Sequence, residues 1–314
     1  MSRIIATGRY LPGKPIDNET FIKQTGIESS DEWIQQRSGI SKRYFAREDE
    51  TLADIATQAA IRALASLAED IPKQIRRIIV ATMSSLGQTP TIANQVQAKL
   101  GLEGAWCFDV SGACSGFAMA YDIAVRLAQG ETEGYTLVIG AEKMSQILNF
   151  ADRSTSFLFG DGAGAVVLKH GGFETLNYES EFHSMPDTSN SLLVQSQEAH
   201  AMTLAMDGRE VFNFVYKTAI PSLVDFLKRT GDFDYLLCHQ ANRRFLELIE
   251  RKGKIHSEQI PQNIHEVANI SAASIPILLD SLVEGGQISL DGTQEVVLFG
   301  FGAGLSWGMV HTII

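Results

Sequence analysis

Two stretches of this chain follow the same order: a buried strand, a turn of small residues, an apolar helix and a second buried strand. In the first, IRRIIVATM (75–83) reads as a β-branched strand. DVSGACSGFAMAYDIAVRLAQG (109–130) then runs from a strand end through a small-residue turn into a helix closed by Gly130, and GYTLVIGAE (134–142) is a further buried strand. In the second, YLLCHQAN (235–242), NISAASIPILLDSLVEGG (269–286) and QEVVLFGFGAG (294–304) repeat that order, and LSWGMVHTII closes the chain as a last strand. The spacing agrees too: Cys114 and Ala273 stand 159 positions apart, as do Val138 and Val297. Continuous apolar strands alternating with helices need cover on both sheet faces. The pattern therefore predicts an α/β chain of two βαβ-rich halves, residues 1–170 and 171–314, related by duplication and packed on shared helices. Buried strands of similar composition are the competing explanation.

A chain of 314 residues is long for one hydrophobic core, in keeping with two halves. Its 45% hydrophobic and 20% charged content is that of an ordinary soluble globular protein. A net charge of −11 argues against nucleic acid or an acidic membrane surface as a general partner. No apolar run reaches the roughly 18 residues of a membrane span. The start, MSRIIATGRYLPG, shows no secretory apolar region, so a cytoplasmic location is expected. LADIATQAAIRALASLA (52–68) is an amphipathic helix and GDGAGAVVLK (160–169) a glycine-rich turn entering a strand, whereas the polar stretch 171–205 suits surface loops around edge strands.

Three cysteines, Cys107, Cys114 and Cys238, cannot form a disulfide framework. A zinc site from them with His239 lacks a CxxC spacing, and Cys238 and His239 are consecutive in a strand, facing opposite sides. Cys114 is different in context. It stands among Ser111, Gly112, Ala113, Ser115 and Gly116 at a helix start, where the macrodipole favours thiolate and small neighbours let a carbonyl approach the sulfur. It reads as a nucleophile; a buried small hydrophobe is the plainer reading. His239 follows an apolar strand, and strand ends are where α/β proteins place chemistry. Asn269 stands just ahead of the second small-residue turn. Duplication would bring Cys114 from one half opposite His239 and Asn269 from the other; taken singly, His239 reads as a structural histidine and Asn269 as a helix cap.

SSDEWIQQRSGISKR (29–43), CFDVSGACSGF (107–117), DRSTSFLFGDGAGAVVL (152–168), HQANRR (239–244), NISAASIP (269–276) and FGAGLSWG (301–308), in this order, resemble the thiolase-fold condensing enzymes, and within them the β-ketoacyl-acyl carrier protein synthase III family. The resemblance covers nearly the whole chain. It implies the thiolase fold, duplicated halves in layers α-β-α-β-α, and a homodimer. It also implies a reaction: Cys114 accepts an acyl group from coenzyme A, malonyl-acyl carrier protein loses carbon dioxide, and its enolate attacks the thioester. His239 and Asn269 would be neutral donors to the enolate oxygen, each worth about 3 kcal/mol. The backbone N–H groups of Cys114 and Ala303 would hold the thioester oxygen. No metal or cofactor is called for, coenzyme A being a substrate.

By the same resemblance Trp33 and Arg153 stack on adenine, Arg37 meets the nucleotide phosphates, and Gly208, Phe212, Ala241 and Asn242 line the pantetheine channel. From the residues themselves, Trp33 and Arg37 share a helix face and suit a purine, or else form a half-buried ring beside a surface arginine. Arg209 replaces a common asparagine. An acidic carrier protein needs a basic landing patch; Arg243, Arg244, Arg251, Lys252 and Lys254 offer one, interrupted by Glu247 and Glu250, and a solvated helix face is the other account. Thr89 stands where many relatives place a phenylalanine that walls the acyl pocket across the dimer interface, which points to a primer larger than acetyl. Ala268 and Ile270, in place of Gly and Thr, are expected to crowd the malonyl side. Three other readings stay open: a pathway-specific relative making a secondary metabolite, a cysteine hydrolase of acyl-coenzyme A, and a non-catalytic acyl-binding subunit.

Overall fold

The computed structural model describes residues 2–87, 89–171, 177–196 and 202–314. The first half supplies a five-stranded sheet in the order Ser2–Tyr10, Gly162–His170, Gly134–Glu142, Ile75–Ala81, Trp106–Val110. The last three of these run parallel, and Gly162–His170 is antiparallel to both its neighbours. The second half supplies a four-stranded sheet, Tyr235–Cys238, Glu295–Gly302, Ser306–Ile313, Glu179–Ser184, again with a parallel first pair and antiparallel later pairs.

Two helices, Gly116–Leu127 and Ser274–Glu284, lie between the sheets. Their Phe117, Tyr121, Leu278 and Leu282 form one core with Val138 and Val166 of the first sheet and Val296 and Leu298 of the second. Helices Leu52–Ala65 and Ile92–Leu100 cover the outer face of the first sheet. Helices Ile220–Thr230 and Arg243–Gly253 cover that of the second. Five layers result, α-β-α-β-α, because each strand run is apolar on both faces and needs helices above and below.

The duplication is present, with a register that differs from a uniform 159. Turns Ala113–Ser115 and Ser271–Ala273 match at 158 positions, and each opens on a non-glycine residue in the left-handed region, Ala113 at φ 45° and Ser271 at φ 42°. The following strands match at 160. Gly140 lies against the Ala272 carbonyl, and Gly300 lies against Ser115 and the Cys114 carbonyl. An odd offset is excluded, because a one-residue slip turns every strand side chain to the other face. Val138 faces the shared helices and Val297 the outer layer.

Stretch 171–205 carries an edge strand, as expected, and more strand than the surface loops around it would give. Strand Glu179–Ser184 edges the second sheet, and Leu192–Ser196 pairs antiparallel with Met202–Met206. Leu192, Val194, Met202, Leu204 and Met206 alternate onto the core, a period of two that polar neighbours mask in the sequence. Positions 172–176 and 197–201 of that stretch lie outside the described residues.

Candidate active site

The end of the Trp106–Val110 strand delivers Cys114 in the Ala113–Ser115 turn, at the N-terminus of the first shared helix. Gly302, near the end of its strand in the other half, closes on it: a Cβ there would lie 2.9 Å from Cys114 Cβ and 3.4 Å from Sγ. The result is a thiol only 6% exposed. Burial pushes it up to about 12, assisted by the charge of Glu142 and opposed by the hydrogen bond to Ser271. Burial thus opposes the thiolate that the helix start favours. A dipole is worth of order 1 kcal/mol, and desolvation of a fully buried thiolate exceeds it.

His239 begins the loop after strand Tyr235–Cys238, anchored by its N–H on the Phe299 carbonyl at 2.8 Å. Its ring packs edge-on to Phe301, with centroids 5.4 Å apart. Burial pushes it down to about 3, so the imidazole is neutral. Asn269 is clamped by its backbone, with N donating to the Leu158 carbonyl and O accepting from Gly160 N, both at 3.0 Å. Its Oδ1 takes the Ser271 N–H at 2.8 Å, which leaves the Nδ2 donors unspent. Just before it, Ala268 holds φ 63°, ψ −167°, a region otherwise almost reserved for glycine.

Cys114, His239 and Asn269 all line one cavity of about 590 Å³. So do Trp33, Arg37, Arg153, Gly208, Phe212, Ala241 and Asn242. Ser30 caps the helix Asp31–Ser38 through the Trp33 N–H, and two guanidinium carbons stand over the indole, Arg37 at 4.6 Å and Arg153 at 4.3 Å from its centroid. Arg209 and Arg244 join the wall, so four arginines gather on a protein of net charge −11. Gly302, not Ala303, lines the cavity; the Ala303 carbonyl accepts from Ser306 Oγ at 2.9 Å. Thr89 is exposed and lies outside the wall of this cavity. Ile270 is buried with Val267, Ala273 and Ile277, and neither it nor Ala268 lines the cavity, so the expected crowding there is absent.

The basic residues of helix Arg243–Gly253 are exposed but not equivalent. Arg243 pairs with Glu247 at 3.3 Å, Arg244 donates to the Gln36 carbonyl at 3.0 Å, and Lys252 sits 4.8 Å over the Tyr216 ring. Arg251 and Lys254 face solvent, and Lys254 ends the helix in the left-handed region. The sequence reading missed Met83, Leu204, Met206 and Phe301, which supply much of the apolar wall. Only the strand alternation around Leu204 could have flagged them. Among the described residues no cluster of His, Cys, Asp and Glu could hold a metal, and no helix is long and apolar enough to cross a membrane.

Two sheets enclosing one helix pair, each half contributing to a single buried pocket, make this a thiolase-fold enzyme. The profile of 3-oxoacyl-(acyl-carrier-protein) synthase III matches residues 108–185, and that of its C-terminal part matches 228–312. The chain belongs to the 3-oxoacyl-(acyl-carrier-protein) synthase III family. It is 38% identical to the β-ketoacyl-(acyl-carrier-protein) synthase III of Streptococcus agalactiae serotype III over 98% of this chain and 97% of that one. With the corresponding protein of Streptococcus pyogenes serotype M5 it shares 39% identity at the same coverage. The crystal structure of 3-oxoacyl-(acyl-carrier-protein) synthase III from Aquifex aeolicus is similar at TM-score 0.89 and 35% identity, covering all of both chains. That of the priming β-ketosynthase of the R1128 polyketide pathway is similar at 0.91 and 30%, covering 100% of this chain and 96% of the other.

Proposed function

We propose that the protein condenses an acyl-coenzyme A primer with malonyl-acyl carrier protein, giving 3-oxoacyl-acyl carrier protein, coenzyme A and carbon dioxide, and so starts fatty-acid synthesis. The observation that carries this reading is the meeting of Cys114 with His239 and Asn269 at one cavity whose wall also holds Trp33 and four arginines. The adenine and phosphates of coenzyme A would bind at Trp33, Arg37 and Arg153, with the pantetheine arm passing Gly208, Phe212, Ala241 and Asn242 to the thiol.

Cys114 Sγ attacks the primer carbonyl and the coenzyme A sulfur leaves. The N–H groups of Cys114 and Ala303 would receive the developing oxyanion. Malonyl carrier protein then enters, its C–CO2 bond breaks, and the electron pair becomes an enolate. His239, which burial pushes toward the neutral imidazole, would donate to the enolate oxygen. The Asn269 Nδ2 group is the second donor. The enolate carbon bonds the Cys114 thioester carbonyl, and the thiol is released. For the acidic carrier, the exposed Arg243, Arg244, Arg251, Lys252 and Lys254 would be the landing surface. A homodimer would bring Thr89 of each protomer toward its partner and leave room for a primer longer than acetyl.

Intact mass after incubation with acetyl-, branched and C6–C12 acyl-coenzyme A tests this directly, beside Cys114→Ala. One adduct on the wild type, absent from the variant and largest for a primer beyond acetyl, is the expected result. Adding malonyl-acyl carrier protein should then clear the adduct and yield 3-oxoacyl carrier. Free acid without a carbon–carbon bond would replace this reading with a thioester hydrolase.

A further inference from the structure

Phe212 and Tyr216 are 41% and 38% exposed, and their rings stack with centroids 6.1 Å apart and planes within 8° of parallel. On the inner side Phe212 stacks on Phe245 at 5.7 Å, and Phe245 meets Phe301 edge-on at 5.9 Å. On the outer side Lys252 Nζ stands 4.8 Å over the Tyr216 ring. A run of stacked rings thus leads from the surface to the cavity. Phe212, Phe245 and Phe301 belong to the cavity wall, and Tyr216 does not.

The pantetheine channel accounts for Phe212 but makes no use of Tyr216. Tyr216 lies in a single π-helical turn, Val215–Ala219, set between helices Gly208–Phe214 and Ile220–Thr230. Such turns are rare and occur frequently at functional sites. Exposed aromatic rings in contact form a surface that another protein can cover, since aromatic residues are enriched at interface centres and carry much of the binding energy there. The ground around the rings is basic. Arg209 stands one turn before Phe212, Lys217 follows Tyr216 and Arg251 precedes Lys252, all exposed. None of these four cations forms a salt bridge among the described residues, whereas the nearby Glu247 is held by Arg243, and Glu210 accepts from Asn213 Nδ2 at 3.4 Å. A local excess of positive charge on a chain of net charge −11 selects an acidic partner.

We propose that Tyr216, stacked on Phe212 and topped by Lys252, is the apolar centre of the surface on which the acidic carrier protein docks. This inference rests on the carrier-dependent condensation proposed above. An apolar side chain of the carrier covers the outer ring, and carboxylates of the carrier face Lys217, Arg251 and Lys252 around it. The charges steer the approach, and burial of the ring holds the docked complex. Acyl-coenzyme A has no protein body and enters the channel without touching Tyr216.

The two half-reactions separate the roles, because acyl loading from coenzyme A needs no carrier and condensation with malonyl-acyl carrier protein does. In Tyr216→Ala the KM for malonyl-acyl carrier protein should rise at least about fivefold, with kcat within about twofold of wild type. The acyl-coenzyme A concentration giving half-maximal loading should also stay within about twofold, since Tyr216 does not line the cavity. Tyr216→Phe keeps the ring and should match wild type in both assays. Tyr216→Asp sets a negative charge against an acidic partner and should raise the carrier KM further than alanine does. Should alanine loosen the π-helical turn by circular dichroism, Tyr216→Gln takes its place with the same expected split. An unchanged carrier KM in the variant lacking the ring would overturn the proposal. Equal losses with carrier and coenzyme A would overturn it as well, and would assign Tyr216 to support of the channel through Phe212. A drop in oligomeric mass would assign the rings to a second copy of this chain instead. A wild type that loads an acyl group but forms no 3-oxoacyl carrier would remove the reading on which the docking surface rests.

Discussion

At Cys114 the backbone and the surroundings pull in opposite directions. The helix start favours an anion, burial favours the neutral thiol, and burial wins because a desolvated charge costs more than a dipole returns. At Ala268 the conflict is steric. A residue with a Cβ is held at φ 63°, ψ −167° immediately before Asn269, and such strain costs on the order of 1–3 kcal/mol. Ala268→Gly relieves it while adding the chain entropy of glycine, so a net gain of about 1 kcal/mol is expected. The urea midpoint measures this, and an unchanged or lower midpoint would show the position to be unstrained. The residue types of the site were legible at this scale, since Cys114, His239, Asn269 and Trp33 each stand in an unusual local context. Glu142 carried a signal as well, an acid closing the apolar run GYTLVIGAE, but its donors come from positions 60 residues before it and 130 after it.

Among the elements, the two turns Ala113–Ser115 and Ser271–Ala273 hold the site together because each is pressed by a glycine in a strand of the other half's sheet. A Cβ on Gly140 would lie 2.5 Å from the Ala272 carbonyl. Backbone cannot yield as a flexible side-chain tip does, so Gly140→Ala should cost about 1–3 kcal/mol by overpacking. It should also slow acyl loading as the Ser271 turn shifts. Thermal unfolding beside a loading assay reads both, and a fully stable, fully active variant would mean the contact is looser than drawn. Strand and helix identities were legible in the sequence from apolar periodicity. The Leu192–Ser196 and Met202–Met206 hairpin was not, because its alternation is short and interleaved with polar residues, and its burial depends on the core it meets.

For the whole molecule, the strand Trp106–Val110 ends the first sheet, and Trp106 is 57% exposed beside Phe108, ring centroids 4.9 Å apart. An edge strand carrying an exposed indole is a template for pairing with another chain. A second copy there is expected: light scattering should give twice the mass of one chain. Trp106→Asp should shift it toward the monomer and weaken use of long primers more than of acetyl-coenzyme A. A monomeric wild type would remove the partner from the acyl pocket altogether. By itself the sequence determined that two like halves would each build a sheet on a helix, since apolar period and turn chemistry are local properties. It also singled out a cysteine, a histidine and an asparagine. Only the tertiary structure decided the even register between the halves, the burial of Cys114 and His239, and the tie from Glu142 to Ala272 of the facing half. Each depends on desolvation or on contact between segments far apart in the chain, and neither is encoded in any one stretch of residues.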